Sequence, residues 1–370
     1  MKKIIYLDNA STTQVRKEVV EVMNKVMLED YGNPSSSHRL GEEAMKKINE
    51  VRGKIANEIG AKANEIIFTS GATEANNLVL NGVCGMENSR KNIFISAIEH
   101  SSVYECAMNL KSRGYNIVEI PVNVDGIIDI DFMEKNIDEN TLLVSVIHGN
   151  NEIGVLQDLN SIGKICKKNG TLFHSDCVQS FGKEKIRVRY WNLDFISASG
   201  HKIGASKGIG FLYVKEGLKL KPLFVGGGQE AGRRAGTENS PGIVGFGKAL
   251  EIVKKEKWED VRKIRDYFVK ELIKLGGRIN GSLDNRLANN INVSFKGLNG
   301  ENAILRLSEK GIMCSTGSAC NEKKEKENRI LRAIGIEKSL MNGTLRFSLG
   351  FETSKKDIDY VLKELKKIVE

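Results

Sequence analysis

Short apolar runs alternate with amphipathic stretches along most of this chain. "EIIFTS" is such a run, and "GATEANNLVLNGV" follows it, with Ala75, Leu78, Val79, Gly82 and Val83 spaced to share one helical face. "NIFISAIEH" leads in the same way into "SSVYECAMNLKSRG", where Val103, Cys106, Ala107 and Leu110 repeat the spacing. "NIVEIPV", "TLLVSVIHG", "TLFHSD", "DFISASG" and "GFLYV" extend the series of strands. Continuous apolar strands separated by helices predict an α/β fold with a mostly parallel central sheet covered on both faces. Beyond about residue 250 the pattern changes. "KALEIVKKEKWEDVRKIRDYFVKELIKLG" reads as one long charged helix, followed by the strand "NINVSFKG", a helix around "ENAILRLSEKG", the strand "GTLRFSLG" and a final helix. This predicts a large domain over residues 13–255 and a smaller α+β domain over 256–370, joined by residues 1–12 because chain ends tend to lie close together.

Composition narrows the class. Of 370 residues, 40% are hydrophobic and 28% charged, which fits a globular protein. No apolar stretch approaches the ~18 residues of a membrane span. The apolar run after Lys2 and Lys3 ends at Asp8, too short for an export signal, so the expected location is the cytoplasm. The net charge of +9 is spread over helices in which Lys alternates with Glu and Asp, a solvated pattern that predicts no direct nucleic-acid partner. Cys84, Cys106, Cys166, Cys177, Cys314 and Cys320 contain no C-x-x-C pair, so neither a metal site nor a disulfide framework is expected.

Ligands of open α/β sheets bind at the carboxyl ends of the strands. Those ends carry Gly71-Ala72-Thr73, His100, Gly149-Asn150-Asn151, Asp176 and Gly200-His201-Lys202. Each admits a plain structural role: a helix cap, a satisfied histidine, a capping carboxylate, a surface lysine with Lys207 as its rival. Together they match the needs of pyridoxal 5'-phosphate: a lysine to bond its aldehyde, a carboxylate for its ring nitrogen, a flat group against the ring, and a helix start for its phosphate. Two look-alikes, one of a phosphate-binding loop and one of a dinucleotide fingerprint, fail. "GIVGFGKA" ends in Ala249 rather than a metal-binding hydroxyl and reads as a helix start with small packing residues, and "GGGQEA" has no βαβ unit after it.

"YLDNASTT", "YGNPSSSHRLG", "IIFTSGATEANN", "EHSSV", "NNEIGVLQDL", "HSDCVQSFGK", "SASGHKIGASKGIG", "RRAGTEN", "CSTGSAC" and "LRFSLG" occur in this order over nearly the whole chain. In this the chain resembles the cysteine desulfurases of the NifS/IscS type. The resemblance implies the fold-type I, class V aminotransferase architecture and a homodimer that turns L-cysteine into L-alanine and passes the sulfur to a protein acceptor, an Fe–S scaffold or a thiolation enzyme. By the same resemblance Lys202 bonds the cofactor, Asp176 faces its ring nitrogen, Gln179 its ring hydroxyl, and His100 stacks on the ring. Ala72, Thr73, Ser199 and His201 hold the phosphate with Thr237 of the second subunit. Asn151 lies by cofactor and substrate, Arg346 clamps the substrate carboxylate, and Asn33 is a second contact. Cys320, on a loop of about 314–329, takes the sulfur as a persulfide.

The chain departs from that pattern at Gln14, at Cys177-Val178, in the lysine loop "GASKG", at Cys314, and in the charged run "NEKKEKENR" that follows Cys320. None of these removes a residue the chemistry needs. The competing readings are another enzyme of the same fold (selenocysteine lyase, β-lyase or aminotransferase), which needs no Cys320, and a non-catalytic sulfur-carrier scaffold, which needs no complete set of Lys202, Asp176, Gln179 and Arg346.

Overall fold

The computed structural model describes residues 4–86, 89–316 and 329–369. All seven strands expected before residue 250 form, and they lie in one sheet. Its order is Ile66–Thr69, Gly210–Val214, Phe195–Ser199, Leu172–Asp176, Thr141–Ser145, Asn92–Ser96, Asn116–Ile120. Only Gly210–Val214 runs against its neighbours.

Alternation within each strand explains why both faces are covered. Phe94, Phe211 and Tyr213 point into one core, filled by Ile48, Val51 and Ile55 of the Arg39–Ile59 helix and by Ile243 and Phe246 of Ser240–Val253. Ile93, Ile95 and Leu212 point into the other, filled by Leu78, Val79 and Val83 of Ala72–Cys84 and Val103 and Leu110 of Ser101–Leu110. Each such side chain stabilises by roughly 2 kcal/mol when fully buried.

The later part of the chain builds its own cluster. The antiparallel strands Thr344–Ser348, Asn290–Ser294 and Arg278–Ile279 pack with the helices Trp258–Lys274, Gly300–Glu309 and Lys355–Val369. Ile5 and Leu7 join it, the short strand Ile5–Tyr6 pairing in parallel with Ile312–Met313. Among the described residues no helix is long and apolar enough to cross a membrane.

The single long helix expected after residue 248 is two helices, Ser240–Val253 and Trp258–Lys274. Lys257 leaves helical geometry at φ −90°, ψ 88°. Tertiary contacts override the helix-forming Lys/Glu run. Trp258 packs on Phe351 with ring centroids 4.1 Å apart and donates its indole N–H to the Gly182 carbonyl, while Glu256 pairs with Arg16 at 2.7 Å. A straight helix would break all three. "GIVGFGKA" is a helix start, as read, with Asn239 capping and Pro241 in the first turn.

Candidate active site

Five strand ends open on one cavity of about 1020 Å³. Ala72, Thr73, His100, Asn151, Asp176, Gln179, Ser199, His201, Lys202 and Arg346 all line it, so ten of the residues singled out from sequence meet in space.

The Ala72–Cys84 helix starts at the cavity wall with Gly71 in front of it at φ 154°, a conformation that favours glycine, and no side chain caps its first amides. Donors without a cap at a helix start suit an anion. Ser199, at the end of Phe195–Ser199, lies opposite. His201 follows on the Gly200–Lys202 turn, its Nδ1 3.1 Å from Thr12 Oγ1. Burial, with Lys202 as the nearest opposing cation, pulls its pKa down to about 4, which leaves a neutral ring beside the anion position.

Asp176 ends its strand fully enclosed. Its carboxylate accepts from Asn76 Nδ2 at 2.8 Å and from the Val178 amide at 3.0 Å. Both bonds fix its orientation. Gln179 donates to the Ala10 carbonyl at 2.7 Å. Lys202 is turned inward, its Nζ donating to the carbonyls of Ala10 (2.6 Å) and Ser11 (2.7 Å), whereas its rival Lys207 is exposed at the rim. Burial first, then the Arg346 charge, lowers the Lys202 pKa to about 8, with Asp176 and Asp8 opposing.

His100 faces the cavity and caps the Ser101–Leu110 helix, its Nδ1 accepting from the Ser102 amide at 3.1 Å. Arg346 reaches across from the antiparallel sheet. It donates to the Asn151 carbonyl (3.1 Å), Asp8 Oδ1 (2.8 Å) and Ser11 Oγ (2.6 Å). Its Nε and the Asn151 Oδ1 are buried without a partner among the described residues, one donor and one acceptor free for a ligand.

Two expected contacts are not in this cavity. Asn33 is exposed away from it, and its side chain accepts from the Ser35 amide at 2.9 Å, which commits it to its own turn. Thr237 is exposed elsewhere on the same chain. Cys320 and residues 321–328 lie outside the described residues. Cys314 is buried, and burial pushes its thiol up to about 12, so it is a packed thiol rather than a ready nucleophile.

Sequence reasoning passed over four residues here. Asn76, which orients Asp176, sits one turn into the helix after Thr73, a spacing that could have flagged it. Glu99 is fully buried, accepts from Ser96 Oγ and the Ile147 amide at 2.6 Å each, and is raised by burial to about 8. Glu152 is raised to about 7, again by burial, with Arg346 and Arg329 opposing. Arg329 also lines the cavity.

The residues fit pyridoxal phosphate: a partly neutral amine, an oriented carboxylate, uncapped helix amides and an unpaired guanidinium nitrogen occur together. Comparison with known proteins agrees. Residues 5–361 match the family model of the class-V aminotransferases. The chain is 42% identical to the cysteine desulfurase IscS of Dictyoglomus turgidum, over all of this chain and 95% of that one. It superposes on a solved NifS-like protein with TM-score 0.93 at 36% identity, covering 99% of both chains. It also superposes on SspA, solved in complex with cysteine, with TM-score 0.84 at 35% identity, covering 94% of this chain and 99% of that one.

Proposed function

Since the chain belongs to the class-V aminotransferase family, we propose that it is a pyridoxal phosphate-dependent cysteine desulfurase that converts L-cysteine to L-alanine and holds the sulfur on Cys320. The observation that carries this reading is the meeting of Lys202, Asp176 and Arg346 at one cavity beside an uncapped helix start.

When bound, the cofactor supplies an aldehyde that bonds amines and an electron-poor ring that withdraws charge from a substrate Cα. Lys202 would be the amine that holds it, and its Nζ would also carry the Cα proton of the substrate. Asp176, fixed by Asn76, holds the proton on the ring nitrogen. His100 would face the ring, Gln179 would meet its hydroxyl, and Asn151 would lie by cofactor and substrate. The Ala72 and Thr73 amides, Ser199 and His201 bind the phosphate, with Thr237 of a second copy. Arg346 binds the substrate carboxylate, its unpartnered Nε offering a charge-assisted donor. Cys320 then attacks the substrate sulfur: the substrate's C–S bond breaks, an S–S bond forms, and the proton lost from the thiol replaces sulfur on the carbon that leaves as alanine.

The same reading gives a homodimer working in the cytoplasm, a large domain over 13–255 with a small one from 1–12 and 256–370, and a protein acceptor that removes the sulfur for Fe–S assembly or thiolation. The test is borohydride reduction of the cofactor-loaded protein followed by peptide mapping, alongside an alanine assay. The reading requires the cofactor mass on the Lys202 peptide and no alanine from Lys202→Ala. The mass on Lys207 instead, or alanine formed without Lys202, would refute it.

A further inference from the structure

Arg329 has no role in the reaction as described, yet its guanidinium reaches the site cavity. It opens the Arg329–Ala333 helix and is held by three contacts. Nη1 donates to the Ala97 carbonyl, Nη2 donates to the Glu99 carbonyl, and the guanidinium lies 4.0 Å over the Tyr104 ring. Ala97 and Glu99 come just before His100, and Tyr104 lies one turn into the helix that His100 caps. One side chain thus grips the backbone before His100 and the helix after it.

We propose that Arg329 is a positioning residue for His100, fixing the turn from which the imidazole faces the cofactor position and supplying a permanent positive charge that favours the neutral ring. The inference rests on the reading of His100 as the ring-stacking residue. Neutrality matters because Nδ1 accepts the Ser102 amide and lies 2.8 Å from Ser102 Oγ. An imidazolium has no acceptor, so protonation would break the cap that holds the ring in place. Burial is the largest influence lowering the His100 pKa; Asp176, the strongest charge near it, opposes, and Lys202 and Arg329 counter Asp176. Glu99, the adjacent carboxyl, is kept neutral up to about 8 by burial, so it adds little pull toward the imidazolium. Cation–π contact with Tyr104 keeps the guanidinium near without needing a carboxylate, which would cancel its field.

The experiment follows the His100 titration by NMR in the histidine-labelled protein, with and without cofactor, the resonance being assigned by its loss in His100→Gln. Arg329→Met is expected to move the His100 midpoint upward and to carry the acid limb of the kcat/KM profile up with it. Arg329→Lys, which keeps the charge, is expected to hold the midpoint near that of the parent. Arg329→Gln keeps a donor while removing the charge, serves if the Met variant does not fold, and is expected to shift the midpoint in the same direction as Met. A midpoint unmoved in the folded Met or Gln variant overturns the proposal. Failure of the reading of the whole site would show separately, as absence of the cofactor from the Lys202 peptide.

Discussion

Lys202 and Lys207 share one glycine-rich turn, and the direction of the side chain separates them. Lys202 points inward to the Ala10 and Ser11 carbonyls, and its pKa falls to about 8 through burial and the Arg346 charge. At pH 7 about a tenth of such an amine is uncharged, against less than ~0.1% for an ordinary lysine. A depressed lysine pKa means that the reactive neutral form accumulates as pH rises through the folded midpoint. The rate at which the cofactor-free protein captures pyridoxal phosphate should therefore climb about tenfold per pH unit below 8 and flatten above it. Arg346→Met removes the charge that lowers this pKa, leaving Asp176 and Asp8 to raise it, and should move that midpoint upward. Absorbance-monitored capture between pH 6 and 9 checks both. Lys202 and Asp176 were legible because a strand end is a local signal. Glu99 and Arg329 were not, since Glu99 is tied to the Ile147 amide 48 residues away and Arg329 to the Ala97 carbonyl 232 residues away in sequence.

At the scale of elements, continuous apolar runs and helical spacing recovered every strand of the large sheet, because strands buried on both faces read as unbroken apolar stretches. It did not reveal the break before Trp258, which is set by Phe351, Gly182 and Arg16, all distant in sequence. The pattern also said nothing about how closely backbones approach. A Cβ on Gly210, at the start of the antiparallel strand of the large sheet, would lie 2.5 Å from the Ala198 carbonyl oxygen and 2.8 Å from Gly71 Cα. Gly210→Ala must push the Gly71 turn and the Ser199 strand end apart, and these are the two walls of the anion position. Its expected effects are a loss of cofactor affinity of roughly tenfold, equivalent to about 1.4 kcal/mol, and a lower Tm. Gly163→Ala is the control. Its Cβ would clash with the Trp191 carbonyl in a helix that does not line the cavity, so Tm should fall while affinity holds. Titration of the cofactor by absorbance, with thermal melts of both variants, separates the two outcomes.

At the scale of the whole molecule, the site is assembled from chain segments far apart in sequence. The large sheet brings Asp176, Ser199 and Lys202. The first dozen residues bring the Ala10 and Ser11 carbonyls and Asp8, and the antiparallel sheet brings Arg346, tied to Asp8 at 2.8 Å. Ile5 and Leu7 pack in the same cluster as Phe347 and Leu345, so the segment that holds the lysine and the strand that bears the arginine share one core. The ordered motifs made the chemistry legible without revealing this assembly, since motif order carries no distances. The central claim is that sulfur leaves L-cysteine for Cys320, and peptide-mapped mass spectrometry after addition of L-cysteine tests it most directly. The account predicts one added sulfur on the Cys320 peptide, matched by alanine and absent in Cys320→Ser. Cysteine consumed with the Cys320 peptide unchanged would contradict it.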